Sequence, residues 1–171
     1  MKKLLPLFCV ALISCTISKS TLKGKYQDTP FQIETSKSFE ETWSKLIDLF
    51  AQKGLSIKII DKSSGLITSE KTSFLSSFTY EDALGKPINP NAFVVSAKTS
   101  FMGTAYPPQS LTGEWNVRIK QGDGKTIINV NLVNLTGQYV MAATRYGGQT
   151  TGEIDAKSTG VFEKLIADQI R

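Results

Sequence analysis

The chain has 171 residues, of which 20 are lysine or arginine, 15 are aspartate or glutamate and none is histidine. Because histidine is the usual general base near neutral pH and the commonest metal ligand, its absence excludes Ser/His/Asp and Cys/His catalysis and histidine-bearing zinc sites. The formal charge of +5 includes Lys2 and Lys3, and the rest of the chain shows no basic stripe or nucleic-acid-binding motif, so no nucleic-acid partner is expected.

A short apolar segment follows the first three residues, Met1-Lys2-Lys3. The run from 4 to 13 is ten residues long, whereas a spanning helix needs about 20 residues to cross roughly 30 Å of hydrocarbon. Two lysines, a short apolar run and then small or polar residues are typical of a bacterial secretory signal. We therefore expect residues 1–14 to be a signal peptide.

The apolar run ends in Leu12-Ile13-Ser14-Cys15, which resembles the lipobox of bacterial lipoproteins. The resemblance implies that the Cys15 thiol is diacylated and that the chain is cleaved just before it, so a membrane is an expected partner through the lipid anchor. More than one acyl chain gives stable anchoring, since each buried CH₂ contributes about 0.8 kcal/mol. Thr16 rather than Asp after the cysteine implies the periplasmic face of the outer membrane. The alternative is that Cys15 is an ordinary cysteine of the signal, like Cys9.

Residues 15–29 follow as a polar stretch with three lysines and no hydrophobic periodicity. Such a composition predicts a flexible tether between the lipid and the domain, with a reach of roughly 20 Å as a random coil. Its lysines would contribute about 1 kcal/mol each against anionic headgroups, and a merely soluble linker is the alternative.

The folded part begins with a strand and a helix. Residues 31–35 alternate apolar and polar, as in a half-buried strand. Ser38 followed by Glu41 predicts a helix start, and Gly54 predicts its end. The apolar residues between them recur at helical spacing and form one stripe, which predicts a face packed on the core: Phe39, Trp43, Leu46, Ile47 and Phe50.

Strands dominate the middle of the chain. Residues 55–75 alternate on either side of a polar turn and predict a hairpin, with Gly65 at positive φ. Residues 79–113 predict loops around a strand near 93–99, and their pairing is left open. Residues 114–120 and 126–133 alternate around Gly122-Asp-Gly124, which predicts a second hairpin.

The segment from Gly137 to Gly152 mixes aromatic, basic and glycine residues, which predicts an exposed loop. Tyr139, Arg145 and Tyr146 are the candidate binding residues, because an arginine beside tyrosines suits an anionic or sugar-like group. The alternative is ordinary solvated surface. A closing helix is predicted over 159–170, capped by Ser158 or Thr159, with its apolar residues on one face.

The order of elements predicts a single α+β domain over residues 30–171. Two amphipathic helices and several half-polar strands favour two layers, with both helices on one face of a curved antiparallel sheet. The acidic residues are scattered along the chain, and no EF-hand or phosphate-binding loop accompanies them. No cofactor, metal site or catalytic residue is expected.

Several of these features together resemble a known family of domains. They are the Phe39-x-x-x-Trp43 helix start, the turn Asp61-Lys-Ser-Ser-Gly65, the strand Trp115-Asn-Val-Arg-Ile and the segment Ser158-Thr-Gly-Val-Phe-Glu163. They look like those of bacterial lipoproteins with a helix-grip domain similar to BamC, an accessory subunit of the outer-membrane β-barrel assembly machine. The resemblance implies a helix-grip fold and covers most of residues 31–170.

The function expected from these features is that of a lipid-anchored, non-catalytic envelope protein that binds or helps assemble an envelope protein partner. The first alternative is a carrier or sensor that binds a small ligand in a cavity between helix and sheet; unpaired polar groups lining such a cavity would favour it. The second alternative is an enzyme, which would require clustered acids with perturbed pKa values in a cleft.

Overall fold

The computed structural model describes residues 17–26, 29–142 and 149–171. The strands in these ranges are β1 (Ile17–Lys19), β2 (Phe31–Thr35), β3 (Ile57–Asp61), β4 (Leu66–Ser69), β5 (Thr72–Ser73), β6 (Phe78–Thr79), β7 (Val94–Ser96), β8 (Thr99–Phe101), β9 (Thr104–Tyr106), β10 (Ser110–Gly122), β11 (Lys125–Ala142), β12 (Gln149–Ile154) and β13 (Ala156–Ser158), and the helices are α1 (Phe39–Gln52) and α2 (Val161–Ile170). The pairing is mainly antiparallel, so the fold is α+β as predicted.

Helix α1 begins and ends where the sequence predicts. The Ser38 hydroxyl accepts a hydrogen bond from the backbone N–H of Glu41 at 3.2 Å, which satisfies one of the free donors of the first turn. Gly54 follows the helix with φ at 65°, a left-handed conformation that glycine adopts without steric cost. The predicted apolar stripe packs inward, and Trp43, Leu46 and Phe50 are buried.

A long hairpin organises the main sheet. β10 and β11 pair antiparallel from Ser110–Gln138 to Gly122–Lys125, with a bulge between Thr112 and Glu114. The described sheet has seven strands in the order β12-β11-β10-β4-β3, and β2 and β5 pair with β11 and β10 respectively. The predicted hairpins at 55–75 and 114–133 are both confirmed by these pairings.

One hydrophobic core joins the main sheet to both helices. Alternate residues of β10 point into it, as the alternation predicts, and Trp115 is fully buried. The Trp115 ring stacks on Phe162 of α2 at 4.1 Å between ring centroids, and Phe50 of α1 meets the same Phe162 ring edge-on at 6.1 Å. Both helices therefore pack on a core that the inward faces of β10 and β11 share.

Two small sheets supplement the main one and differ from the prediction of a single sheet. One has the order β1-β8-β9, and the other has the order β13-β7-β6, in which β6 and β7 are parallel. Their strands are only two or three residues long. The predicted loop after Phe101 contains β9 and the start of β10.

Helix α2 begins two residues later than predicted. Gly160, with φ at 84°, occupies the N-cap position in place of Ser158 or Thr159. Ser158 and Thr159 still act near this end, because their hydroxyls accept hydrogen bonds from the backbone N–H groups of Gly160 and Val161.

The segment 17–26 corrects the prediction of a flexible tether over residues 15–29. β1 pairs with β8, matching Ile17 with Phe101 and Lys19 with Thr99. Ser20 then donates its backbone N–H to the Lys98 carbonyl at 2.9 Å. Because β-pairing depends on backbone groups, a polar segment without periodicity still docks on the domain.

Candidate functional site

The predicted site residues fall in two groups. Cys15, Arg145 and Tyr146 lie outside the described residues. Tyr139 lies within β11, where it pairs with Gly152 of β12. Only 2% of Tyr139 is exposed, and it packs in a second buried cluster with Ala97, Met141 and Ile154. Tyr139 is therefore a core residue and not part of an exposed binding loop.

The glycines of this segment explain the incorrect loop prediction. A side chain at Gly152 would occupy the space that the Tyr139 ring fills, so glycine is needed there for close packing between strands. β11 continues to Ala142 and β12 begins at Gln149. Of the predicted loop over 137–152, the described part is a strand pair.

The Glu81 carboxylate holds the N-terminal segment against the domain, a role that the sequence does not predict. This carboxylate accepts three hydrogen bonds of 2.8 Å, from the backbone N–H groups of Lys23 and Gly24 and from the Tyr26 hydroxyl. We call this arrangement the Glu81 clamp. It fixes the docked N-terminal segment on the domain through residues that are 55 to 58 positions away in sequence.

The neighbouring turn positions Glu81. Asp82 accepts backbone hydrogen bonds from Leu84 at 2.8 Å and from Lys86 at 2.9 Å, closing a tight turn in which Gly85 has φ at 80°. A Cβ on Gly24 would lie 2.5 Å from the Gly85 carbonyl oxygen, so the two backbones approach as closely as glycine alone permits.

The clamp perturbs the ionisation of both side chains. Burial raises the pKa of Glu81, but hydrogen bonds from Lys23, Gly24 and Tyr26 together with the Lys23 charge outweigh it, so the net pKa is lowered. Burial and the hydrogen bond to this carboxylate raise the pKa of Tyr26. Glu81 is therefore ionised and Tyr26 protonated at neutral pH, which is the state that both hydrogen bonds require.

A second acidic residue lies in a cavity between α2 and the sheet. The cavity has a volume of about 190 Å³ and is lined by Thr29, Asn131, Leu135, Ser158 and Glu163, among others. Only 4% of Glu163 is exposed. Its Oε1 accepts a hydrogen bond from the Ser158 hydroxyl at 2.7 Å, whereas its Oε2 is buried without a hydrogen-bond partner among the described residues.

Burial raises the pKa of Glu163, against the opposing effects of hydrogen bonds from Ser158 and from its own backbone N–H. Glu163 thus lines the cavity and also has a buried carboxylate oxygen to which no described residue donates a hydrogen bond. Signals for this site were present in the sequence, since Ser158 and Glu163 flank a helix start, but nothing in the pattern distinguishes a cavity from a filled core.

Other perturbed acids have local structural roles. Asp61 accepts hydrogen bonds from the Ser63 and Ser64 hydroxyls in the β3–β4 turn, which lower its pKa to about 2.

In the part of the chain that the structure describes, no three acidic or cysteine residues converge as metal ligands would. Over the same ranges no helix is both long and apolar enough to cross a membrane.

Comparison with known proteins does not define a family for this chain. No family model matches the sequence, and no curated protein matches it.

Proposed function

We propose that this protein is a lipid-anchored, non-catalytic protein of the bacterial cell envelope. It is held on the periplasmic face of the outer membrane and acts as a binding or assembly accessory for an envelope protein. We extend the proposal to the fold, in which both helices grip one face of the sheet as in the helix-grip domains of BamC-like lipoproteins.

The observation that carries the proposal is the sequence Leu12-Ile13-Ser14-Cys15 behind two lysines and a short apolar run. A diacylated cysteine supplies the two or more hydrophobic signals that stable anchoring needs. The docked segment supports the same role, because β1 begins two residues after Cys15. An anchor at this position would keep the domain beside the membrane and raise its effective concentration toward any partner there.

The roles of Glu81, Asp61 and Asp82 support a non-catalytic function. The whole chain lacks histidine. Glu81 binds backbone donors, and Asp61 and Asp82 stabilise turns. Their lowered pKa values follow from these hydrogen bonds. A perturbed pKa that follows from a structural hydrogen bond requires no reaction to explain it.

Two experiments test the proposal. Metabolic labelling with a fatty-acid analogue should mark the wild type and miss Cys15→Ser; equal labelling of both would refute the anchor.

Complementation of a deletion strain should fail with a secreted form that lacks the lipid and succeed with anchored Arg145→Ala or Glu153→Ala. Full function of the soluble form, together with loss of function in a folded single-charge variant, would refute the non-catalytic role.

A second candidate function is a carrier of a small hydroxyl- or amine-bearing ligand, and the cavity beside Glu163 favours it. We expect a carrier purified from its host to release a bound small molecule on denaturation, detectable by mass spectrometry. Glu163→Gln should reduce the amount released, because the amide has only one acceptor oxygen and its NH₂ group donates. Release of nothing by either form would eliminate this function, and equal release by both would eliminate the role assigned to Glu163.

A further inference from the structure

The hairpin formed by β8 and β9 has an exposed tip but no charged residue. Its residues, Thr99 to Tyr106, read TSFMGTAY and include no charged side chain, in a chain of which 20% is charged. Met102 at the tip is 76% exposed. Phe101 and Tyr106 flank the tip and pack partly against the buried cluster around Tyr139, so the hairpin rests on a fixed support.

The backbone conformation at the tip disfavours methionine. Met102 has φ at 49° and Gly103 has φ at 80°, both left-handed. Two-residue hairpins of this kind favour Asn-Gly or Asp-Gly, because Asn and Asp tolerate the left-handed conformation best. The β10–β11 hairpin follows that preference, with Asp123 at 49° and Gly124 at 73°. Methionine at the equivalent place in the β8–β9 hairpin is therefore unfavourable both in backbone conformation and in solvation.

The pairing of β1 places this tip beside the proposed anchor. Ile17 is opposite Phe101, and β1 followed backward along the chain runs toward Met102. Ile17 is itself 37% exposed. Cys15 precedes Ile17 by only two positions in the sequence, so a lipid on Cys15 would be attached no more than about 7 Å of chain from β1. Acyl chains on Cys15 would enter the bilayer next to the tip.

We propose that the β8–β9 tip, with Met102 at its apex and Ile17 beside it, inserts into the membrane interface next to the lipidated Cys15 and orients the domain on the bilayer. This inference rests on the proposed lipid anchor. Apolar and aromatic side chains suit the interface between headgroups and acyl chains. Lys19 in β1 and Lys98 just before β8 are exposed, with their ammonium groups over the Tyr139 and Tyr80 rings, and their charge complements anionic headgroups.

The two hairpins offer a matched test. Met102→Trp and Asp123→Trp place the same side chain at the same backbone φ, each before a glycine. The β10–β11 turn lies at the opposite end of β11 from Tyr139, up to roughly 45 Å along the strand. Both native tryptophans, Trp43 and Trp115, are buried and supply a constant background.

The experiment reconstitutes each full-length lipidated variant in vesicles of phosphatidylethanolamine and phosphatidylglycerol with brominated acyl chains. We expect the tryptophan added at 102 to lose most of its emission to bromine quenching and the tryptophan added at 123 to lose none. Equal quenching of the two positions, or quenching of neither, would overturn the proposed insertion.

A second variant covers the possibility that tryptophan disturbs the turn. Met102→Asp recreates the Asp-Gly pair of the other hairpin, so the turn should form at least as well. In vesicles, backbone amides of residues 101–105 should exchange hydrogen about tenfold faster in Met102→Asp than in the wild type, as expected for losing the burial of one methionine. Equal exchange would overturn the inference.

Mass spectrometry of the reconstituted protein separates the two proposals. A diacyl adduct on Cys15 without quenching at 102 overturns only the insertion of the tip and leaves the anchor intact. Absence of the adduct overturns the anchor, and the inference that rests on it fails too.

Discussion

Replacing Glu81 with glutamine should release the N-terminal segment without unfolding the domain. The carboxylate accepts from the backbone N–H groups of Lys23 and Gly24 and from the Tyr26 hydroxyl, each at 2.8 Å. Glutamine has one acceptor oxygen, and its NH₂ group would face a backbone donor. At least one hydrogen bond to a charged acceptor is lost and one partly buried donor is left unpaired.

The expected loss is about 2–4 kcal/mol, since hydrogen bonds to charged groups contribute about 1.5–3 kcal/mol each and an unpaired buried donor adds to the cost. That corresponds to roughly 30- to 800-fold in the equilibrium between the docked and the released segment. Trypsin cleavage after Lys19, Lys23 and Lys25 measures it, because cleavage follows the population of the released form. These cleavage sites lie within the segment whose release is measured.

Glu34→Gln is the matched control. Glu34 pairs with Lys125 at 2.9 Å, but both side chains are about half exposed, so the loss should be no more than about 1 kcal/mol. Trypsin should cleave the segment in this variant as slowly as in the wild type. If Glu81→Gln and the wild type are cleaved at equal rates, Glu81 does not hold the segment.

The clamp should also depend on pH in a defined direction. The pKa of Glu81 is lower in the docked form than in the released form, so its contribution to docking is complete above the ordinary glutamate pKa. That contribution is lost as pH falls through the lowered value. Protection from an acid-stable protease should therefore persist below the ordinary glutamate pKa in the wild type, and loss of protection above that value would contradict the prediction.

Three further predictions concern stability and can be measured by denaturant unfolding. Trp43→Ala should cost about 3–5 kcal/mol, because the ring is only 8% exposed; a loss below about 1 kcal/mol would contradict its place in the core. Glu163→Gln should gain stability relative to the wild type as pH rises above the ordinary glutamate pKa, because the raised pKa of Glu163 makes its ionisation in the folded state costly; a pH-independent difference would contradict this. Gly65→Ala should cost about 1–3 kcal/mol more than Gly124→Ala, because both have positive φ but only at Gly65 would a Cβ collide with the Ile119 carbonyl oxygen; equal losses would contradict this.

The elements predicted correctly are those whose sequence contains a long periodic pattern with a local start or stop signal. Helix α1 has five apolar residues at helical spacing between Ser38 and Gly54, and the structure confirms both ends. The β10–β11 hairpin has alternation on both sides of Gly122-Asp-Gly124, and the structure confirms the turn. In both cases the interactions that decide the structure lie within a few residues of one another.

The features missed depend on contacts between distant segments. β1 is three residues long and pairs with β8, an equally short strand whose residues are 80 to 84 positions away, so neither strand has a detectable pattern. The Glu81 clamp uses two backbone N–H groups, which every residue except proline possesses, so the sequence contains no signal for them. Gly137 and Gly152 predicted a loop, but both lie in strands. Glycine at these positions lets two strands and the Tyr139 ring pack closely.

The docked N-terminal segment also has a mechanical consequence. If the proposed lipid is attached at Cys15, tension through it would act first on β1 and the Glu81 clamp, because these come next along the chain. β1 pairs with β8 in a sheet separate from the main one, and the segment touches the main sheet through side chains such as Lys19 and Leu22, which lie against Tyr139 and the cluster around it. Detachment of residues 17–26 would add up to roughly 30 Å of extended chain while the core stays folded. In the proposed anchored protein, the same ten residues would hold the domain close to the membrane at rest and lengthen the connection when it is pulled.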